Sequence, residues 1–146
     1  PEDGIRYVER SRGLGDVYKR QIYVHAFFAL VAIPVGLYIF LTKKGTATHK
    51  FVGRFWVIIL MIVSVTAIFI QEINPGEYSL IHLLIPWTIG SLFYSIWNIR
   101  KYRETKLPRH KYAHMYSMIG VYIGALIVAG AFTLMPGRFF YSIFFG

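Results

Sequence analysis

Five histidines, His25, His49, His82, His110 and His114, are the side chains of this 146-residue chain best suited to chemistry. An imidazole can ligate a metal or a haem iron, exchange a proton near neutral pH, or bond a neighbouring carbonyl. No cysteine is present, which removes disulfides, thiolate metal sites, c-type haem attachment and cysteine nucleophiles. Which imidazole chemistry applies depends on the elements that hold the rings.

Those elements are apolar. Hydrophobic residues make up 55% of the chain and charged residues only 16%, which excludes disorder and is too apolar for an ordinary soluble domain. No Asp, Glu, Lys or Arg occurs in 21–42, 55–71, 78–99 or 112–137. Each run approaches the ~20 residues that cross a bilayer as a helix. Continuous rather than alternating apolarity argues against a strand barrel. Helices are predicted over about 22–42, 51–73, 79–99 and 112–135. Short turns at Gly45-Thr46 and Asn74-Pro75-Gly76 favour antiparallel neighbours, and hence an all-α, four-helix transmembrane up-down bundle.

The charge is placed unevenly. Residues 1–21 carry nine charged side chains and read EDGIRYVERSRGLGDVYKRQ from Glu2 to Gln21, text that resembles translated adapter sequence. The segment lacks the apolar stretch of a signal peptide and is read as a non-native leader, with residues 22–146 as one membrane domain. Ten of the eleven basic residues after Gln21 lie between helices 1 and 2 or between helices 3 and 4. The connection between helices 2 and 3 holds only Glu72 and Glu77. The positive-inside rule then puts both basic connections in the cytoplasm of a bacterium and both termini outside. A net charge of +9 in a soluble protein would suggest nucleic acid; here the partner is the lipid bilayer, and no nucleic acid is expected.

Within this frame the histidines form two levels. His25 and His82 lie about one turn inside the outer ends of helices 1 and 3, whereas His49 and His114 lie at the cytoplasmic starts of helices 2 and 4. Helices 1 and 3, and 2 and 4, are diagonal partners in an up-down bundle. Diagonal imidazoles at one level suit axial ligation of haem iron, so two levels suit two b-type haems carrying electrons across the membrane. His25, Ala29, Ala32 and Gly36 share a helix face narrow enough to admit a flat macrocycle, and Phe93 and Trp97 continue the His82 face. Arg54 and Arg138 are placed to neutralise propionates. Three other readings stay open: an outer zinc or iron site of His25, His82 and Glu72, an imidazole proton relay, and histidines that only satisfy carbonyls between helices.

Helix 4 also carries a stripe of small residues, Ala113, Ser117, Gly120, Gly124 and Ala131. Such a stripe allows close packing in lipid, within the chain or against a second copy or membrane partner through Gly120 and Gly124. The latter describes a non-enzymatic scaffold or assembly protein. No catalytic residue is assigned.

Widely separated motifs carry a family resemblance. They are Lys44-Gly45-Thr46 with His49, Gly53-Arg54-Phe55-Trp56, Phe69-Ile70-Gln71-Glu72-Ile73, Ser79-Leu80-Ile81-His82-Leu83-Leu84, Tyr122-Ile123-Gly124, Ala129-Gly130-Ala131-Phe132-Thr133-Leu134 and Pro136-Gly137-Arg138. From about Tyr23 to Arg138 the chain resembles a bacterial family of small predicted four-helix integral membrane proteins of unknown function. The resemblance maps the family's histidines onto His25, His49, His82 and His114, leaves His110 as an extra, and implies no activity. Gln71 stands where many relatives are expected to carry histidine.

Overall fold

The computed structural model describes residues 2–70 and 83–133. Its elements are α1 (Glu2–Leu41), α2 (Ala47–Ile68), α3 (Leu84–Thr105), α4 (Pro108–Val121), a π-helical segment (Tyr122–Val128) and α5 (Ala129–Thr133), with no strand among the described residues. Three stretches are long and apolar enough to cross a membrane: Lys19–Leu41, Ala47–Ile68 and Pro108–Phe132. Among the described residues α3 does not join them, because its uncharged part is cut to 84–99 before Arg100 and Lys101.

Local chemistry explains the boundaries. At the end of α1, the Lys44 ammonium donates to the carbonyls of Ile39 and Thr42, each at 3.1 Å, and to that of Phe40. A cation on the last carbonyls satisfies orphan acceptors and complements the helix dipole. Gly45 turns the chain at φ +84°, where a side chain is disfavoured. Thr46 caps α2, its hydroxyl accepting from the His49 amide at 3.2 Å, so α2 begins four residues before the predicted 51. α3 runs past the predicted 99 to Thr105, because Arg100, Lys101 and Arg103 are good helix formers. It stops at Lys106 in the left-handed region, whose amide donates to the Tyr102 carbonyl at 2.9 Å. Pro108 then opens α4, where its missing amide costs nothing. α1 continues back through the charged N-terminal residues to Glu2 rather than starting at 22.

α1 packs on α2, α2 on α3 and α3 on α4, and the π segment touches both α1 and α3. The buried centre includes Ala32, Ile39, Trp56, Ile59, Leu60, Leu92 and Val121. Outward lie large apolar side chains, among them Phe27, Leu30, Leu37, Ile58, Phe93 and Ile127. Apolar surface this extensive suits lipid rather than water.

Two small-residue surfaces turn out to be seats for aromatic rings of the same chain. On α1, the expected haem groove is filled. The Trp56 indole donates to the Ala32 carbonyl at 2.8 Å and the Tyr122 hydroxyl to the Ile33 carbonyl at 3.3 Å. A Cβ on Gly36 would meet Tyr122 ring carbons at 2.7 Å and Trp56 at 2.9 Å. No macrocycle fits on the face from Ala32 to Gly36. Phe93 and Trp97, expected as pocket walls, are 62% and 51% exposed and face outward. On α4 and the π segment, the glycine stripe receives Trp87 of α3. A Cβ on Gly124 would lie 2.5 Å from that indole, and one on Gly120 3.7 Å from it. The stripe is therefore an intramolecular contact in this structure.

Gly36→Ala is expected to destabilise the protein by about 1–3 kcal/mol, the cost of overpacking a rigid site. Gly53→Ala, where nothing lies within 4 Å of the new Cβ, serves as the matched control and should change stability by less than ~0.5 kcal/mol. Thermal unfolding of the purified variants in mild detergent checks both.

Candidate functional site

Three of the histidines are held by one device: a ring nitrogen donating to an oxygen on a neighbouring helix. His25 Nδ1 lies 3.1 Å from the Val63 carbonyl and 3.1 Å from the Thr66 hydroxyl on α2. A carbonyl only accepts, so Nδ1 carries the proton. Thr66 in turn donates back to its own helix, to Ile62 at 2.8 Å or Val63 at 3.0 Å. His114 Nδ1 lies 3.2 Å from the Ser95 carbonyl and 2.7 Å from the Ser95 hydroxyl, which can donate to the His114 carbonyl at 3.3 Å. His110 Nδ1 lies 2.8 Å from Asn98 Oδ1. The Asn98 amide nitrogen donates to the Tyr94 carbonyl at 2.9 Å, which orients the amide and makes His110 the donor. In all three, the Nδ1–H form leaves the lone pair of the neutral ring on Nε2.

α3 and α4 thus meet through a two-rung polar ladder. Ser95 and Asn98 are three residues apart on α3; His110 and His114 are four apart on α4; both spacings put their pair on one helix face. Ser95 is fully buried and Asn98 is 2% exposed. An unpaired polar group would be costly there, and each finds its partner on α4. The ring of His110 also stands edge-on to Trp97, with centroids 5.9 Å apart.

His49 is held differently. Its ring lies near the Ile39 carbonyl at the end of α1, near Lys44 and near His114. Its Nδ1 is the one buried side-chain nitrogen or oxygen without a hydrogen-bond partner among the described residues. A buried polar atom without a partner calls for an explanation, such as a bound group or a functional role. The structure therefore brings His49 and His114 into one neighbourhood at the Lys44 end, with His110 one turn below His114. His25 stands at the other end of α2, 17 residues from His49 to Thr66, or about 25 Å of helix. His82 and Glu72, and with them the outer pair and the outer metal set, lie outside the described residues, as does Arg138. Among the described residues no three histidine or acidic side chains group as a metal site. Arg54 is exposed near the start of α2.

Residues 22–144 match the model of DUF2306, described as a predicted membrane protein. The chain belongs to this family. Its function is not known, which agrees with the resemblance carried by the motifs. No curated protein and no solved structure matches the chain. The DUF2306 match begins at Ile22, directly after the charge-rich residues 1–21.

Ser95, Asn98 and Thr66 were not singled out by sequence reasoning. The available signal was the pairing of two spacings: uncharged polar residues three apart near the basic end of α3, and histidines four apart at the basic start of α4. His110 gains a partner by this route.

Asn98→Leu should remove the oxygen that fixes His110 while leaving His25 and His114 as they are. In 15N spectra of histidine-labelled protein, the native chain is expected to show His25, His110 and His114 as Nδ1–H forms. The variant should show His110 alone shifting toward the Nε2–H form that free imidazole prefers. Loss of all three signatures together would mean the ladder is not where the tautomers are set.

Proposed function

We propose that this DUF2306 protein carries electrons across the bilayer on b-type haem held by histidines at two levels. His49 and His114 ligate at the basic, cytoplasmic end; His25 and His82 ligate at the other. The membrane domain is an up-down quartet of helices with both termini on the far side, and the basic rim lies against anionic headgroups.

The observation that carries this reading is the tethering of His25 and His114 through Nδ1. Metal-ligating histidines are held in this way, one ring nitrogen donating to a carbonyl or carboxylate so that the other presents its lone pair. The buried, unpartnered Nδ1 of His49 beside His114 adds a second donor without a protein partner at the inner level. Haem iron bound there would supply one-electron chemistry, cycling between ferrous and ferric states. The chain's own part is to fix ring orientation and keep the site dry. Arg54 at the inner end offers a counter-charge for a propionate, and Arg138 is the corresponding residue near the other end.

The filled seat on α1 narrows the proposal. With Trp56 and Tyr122 occupying the Ala32–Gly36 face, the cofactor reading rests on the donor sets at the two ends and not on a groove along α1. The scaffold alternative has less to stand on, because Trp87 of the same chain occupies the glycine stripe.

A reduced-minus-oxidised spectrum of protein expressed with ample haem and purified in mild detergent is the test. Soret and alpha bands are expected. His114→Ala and His25→Ala should each remove a different component, while His110→Ala should leave both. Absence of bands, or bands that survive both alanine variants, would overturn the ligand assignment.

A further inference from the structure

Polar residues line the contact between α3 and α4 well beyond the two bonded rungs. On α3, Thr88, Ser91, Ser95 and Asn98 follow one another at steps of three, four and three residues, which keeps them on one helix face. Thr88 is 3% exposed and Ser91 is half-buried. On α4, His110, His114 and Ser117 share a face that continues to the buried Val121. The antiparallel register is fixed at both ends: Asn98 and Ser95 meet His110 and His114, and Trp87 meets Gly120 and Gly124. Ser91 therefore falls level with Ser117, and Thr88 level with Val121. From Asn98 to Thr88 is ten residues, about 15 Å of helix or half the hydrocarbon thickness.

Glue between helices explains only the part nearest the basic end. Among the described residues, Thr88, Ser91 and Ser117 make no hydrogen bond to the facing helix. Ser95 links the two parts. Its hydroxyl accepts from His114 Nδ1 at 2.7 Å, whereas its own proton reaches the His114 carbonyl at 3.3 Å, long for an O–H donor. That proton is available to a water on the Ser91 side. Residues three or four apart on a helix stand about 5–6 Å apart, and two O–H···O bonds through one water span about 5.5 Å. One water thus bridges Ser95 to Ser91, with Ser117 as a third partner, and another bridges Ser91 to Thr88.

We infer that this seam is a hydrated proton inlet, open at the basic end of the bundle and reaching Thr88 near the middle of the membrane. Along it each hydroxyl or water accepts one proton and passes on another, so every O–H bond formed is matched by one broken. Ionisable residues within spans mark proton pathways, and His110 and His114 stand at the mouth of this one. Arg109 and Lys111 flank His110 in sequence, and His49, with Lys44 beside it, lies near His114. The seam meets His114 at Nδ1, so Nε2, the atom assigned to iron above, lies on the other edge of the ring. The inlet does not depend on haem.

The chain has no cysteine, so single cysteines can report on the seam. Ser91→Cys, Thr88→Cys and the control Leu92→Cys, at a position 1% exposed and next to Ser91, are made in the full chain and reconstituted in sealed vesicles. Lys43→Cys, exposed in the basic connection, identifies the basic side. The probe is Ag+, close to water in size and excluded by lipid, added to one side in chloride-free buffer. To bind, it displaces the thiol proton, which must leave by the same route. Bound silver then protects the thiol from a maleimide added after denaturation. From the basic side, Ser91→Cys and Thr88→Cys are expected to be protected at least about tenfold faster than Leu92→Cys. Ser117→Leu, which fills the seam at its middle, should slow Thr88→Cys about tenfold. Thr88→Cys as slow as Leu92→Cys from the basic side would overturn the inference, as would faster protection from the opposite side. Circular dichroism and gel filtration identify any variant that has not folded, and the small replacements at Ser91 and Thr88 decide the matter without Ser117→Leu. Either result leaves the haem spectrum to be judged separately.

Discussion

The structure turns on the contact between α1 and two aromatic rings that arrive from different helices. In lipid there is no hydrophobic force to press helices together, so association relies on close packing and on hydrogen bonds made inside the protein. Trp56 and Tyr122 supply both at once. Each ring lies against Gly36, where even a methyl group would collide, and each uses its polar atom on a carbonyl of the same turn, Ala32 or Ile33. α1, α2 and the π segment are thereby joined at a single height. A π turn carries one more residue in each hydrogen-bonded ring than an α turn and often marks a functional position. Here it begins at Tyr122 itself and contains Gly124, so the stretch of irregular helix both fills the α1 seat and accepts Trp87 from α3.

The polar contacts follow the same economy. Ser95, Asn98 and Thr66 are polar groups within largely apolar helices, and each is committed to a histidine on the adjoining helix. None of these pairs is charged on both sides, which avoids the large cost of burying ions. Their effect is directional. Each fixes which nitrogen of the ring carries the proton, and so which nitrogen is offered elsewhere. A membrane protein that needed only glue between helices would gain as much from serine–serine or asparagine–carbonyl contacts. Histidine adds a second nitrogen whose use the fold leaves open.

Much of this was legible in the residues, for identifiable reasons. The four uncharged runs marked the helices, because charge is excluded from hydrocarbon more strictly than any local propensity acts. Boundaries were less legible. α3 outran its apolar stretch because Arg100 to Thr105 favour helix regardless of lipid, and α2 began early because Thr46 caps it. The grouping of His49 with His114 followed from depth alone. The groove did not. Ala32 and Gly36 record that something flat packs there, but small residues do not say whether that is a cofactor or the chain's own tryptophan. The same ambiguity applied to Gly120 and Gly124, which answer to Trp87. The partner of His110 was not legible, because Asn98 lies on another helix.

These features bear on one another through height. A helix rises about 1.5 Å per residue, so the 17 residues from His49 to Thr66 separate the histidine levels by most of a bilayer's hydrocarbon thickness. Side chains that must meet water or headgroups can do so directly at either end. The aromatic seat occupies the middle and satisfies its own polar atoms internally, tying the helices together without leaving either ring's polar atom unpaired.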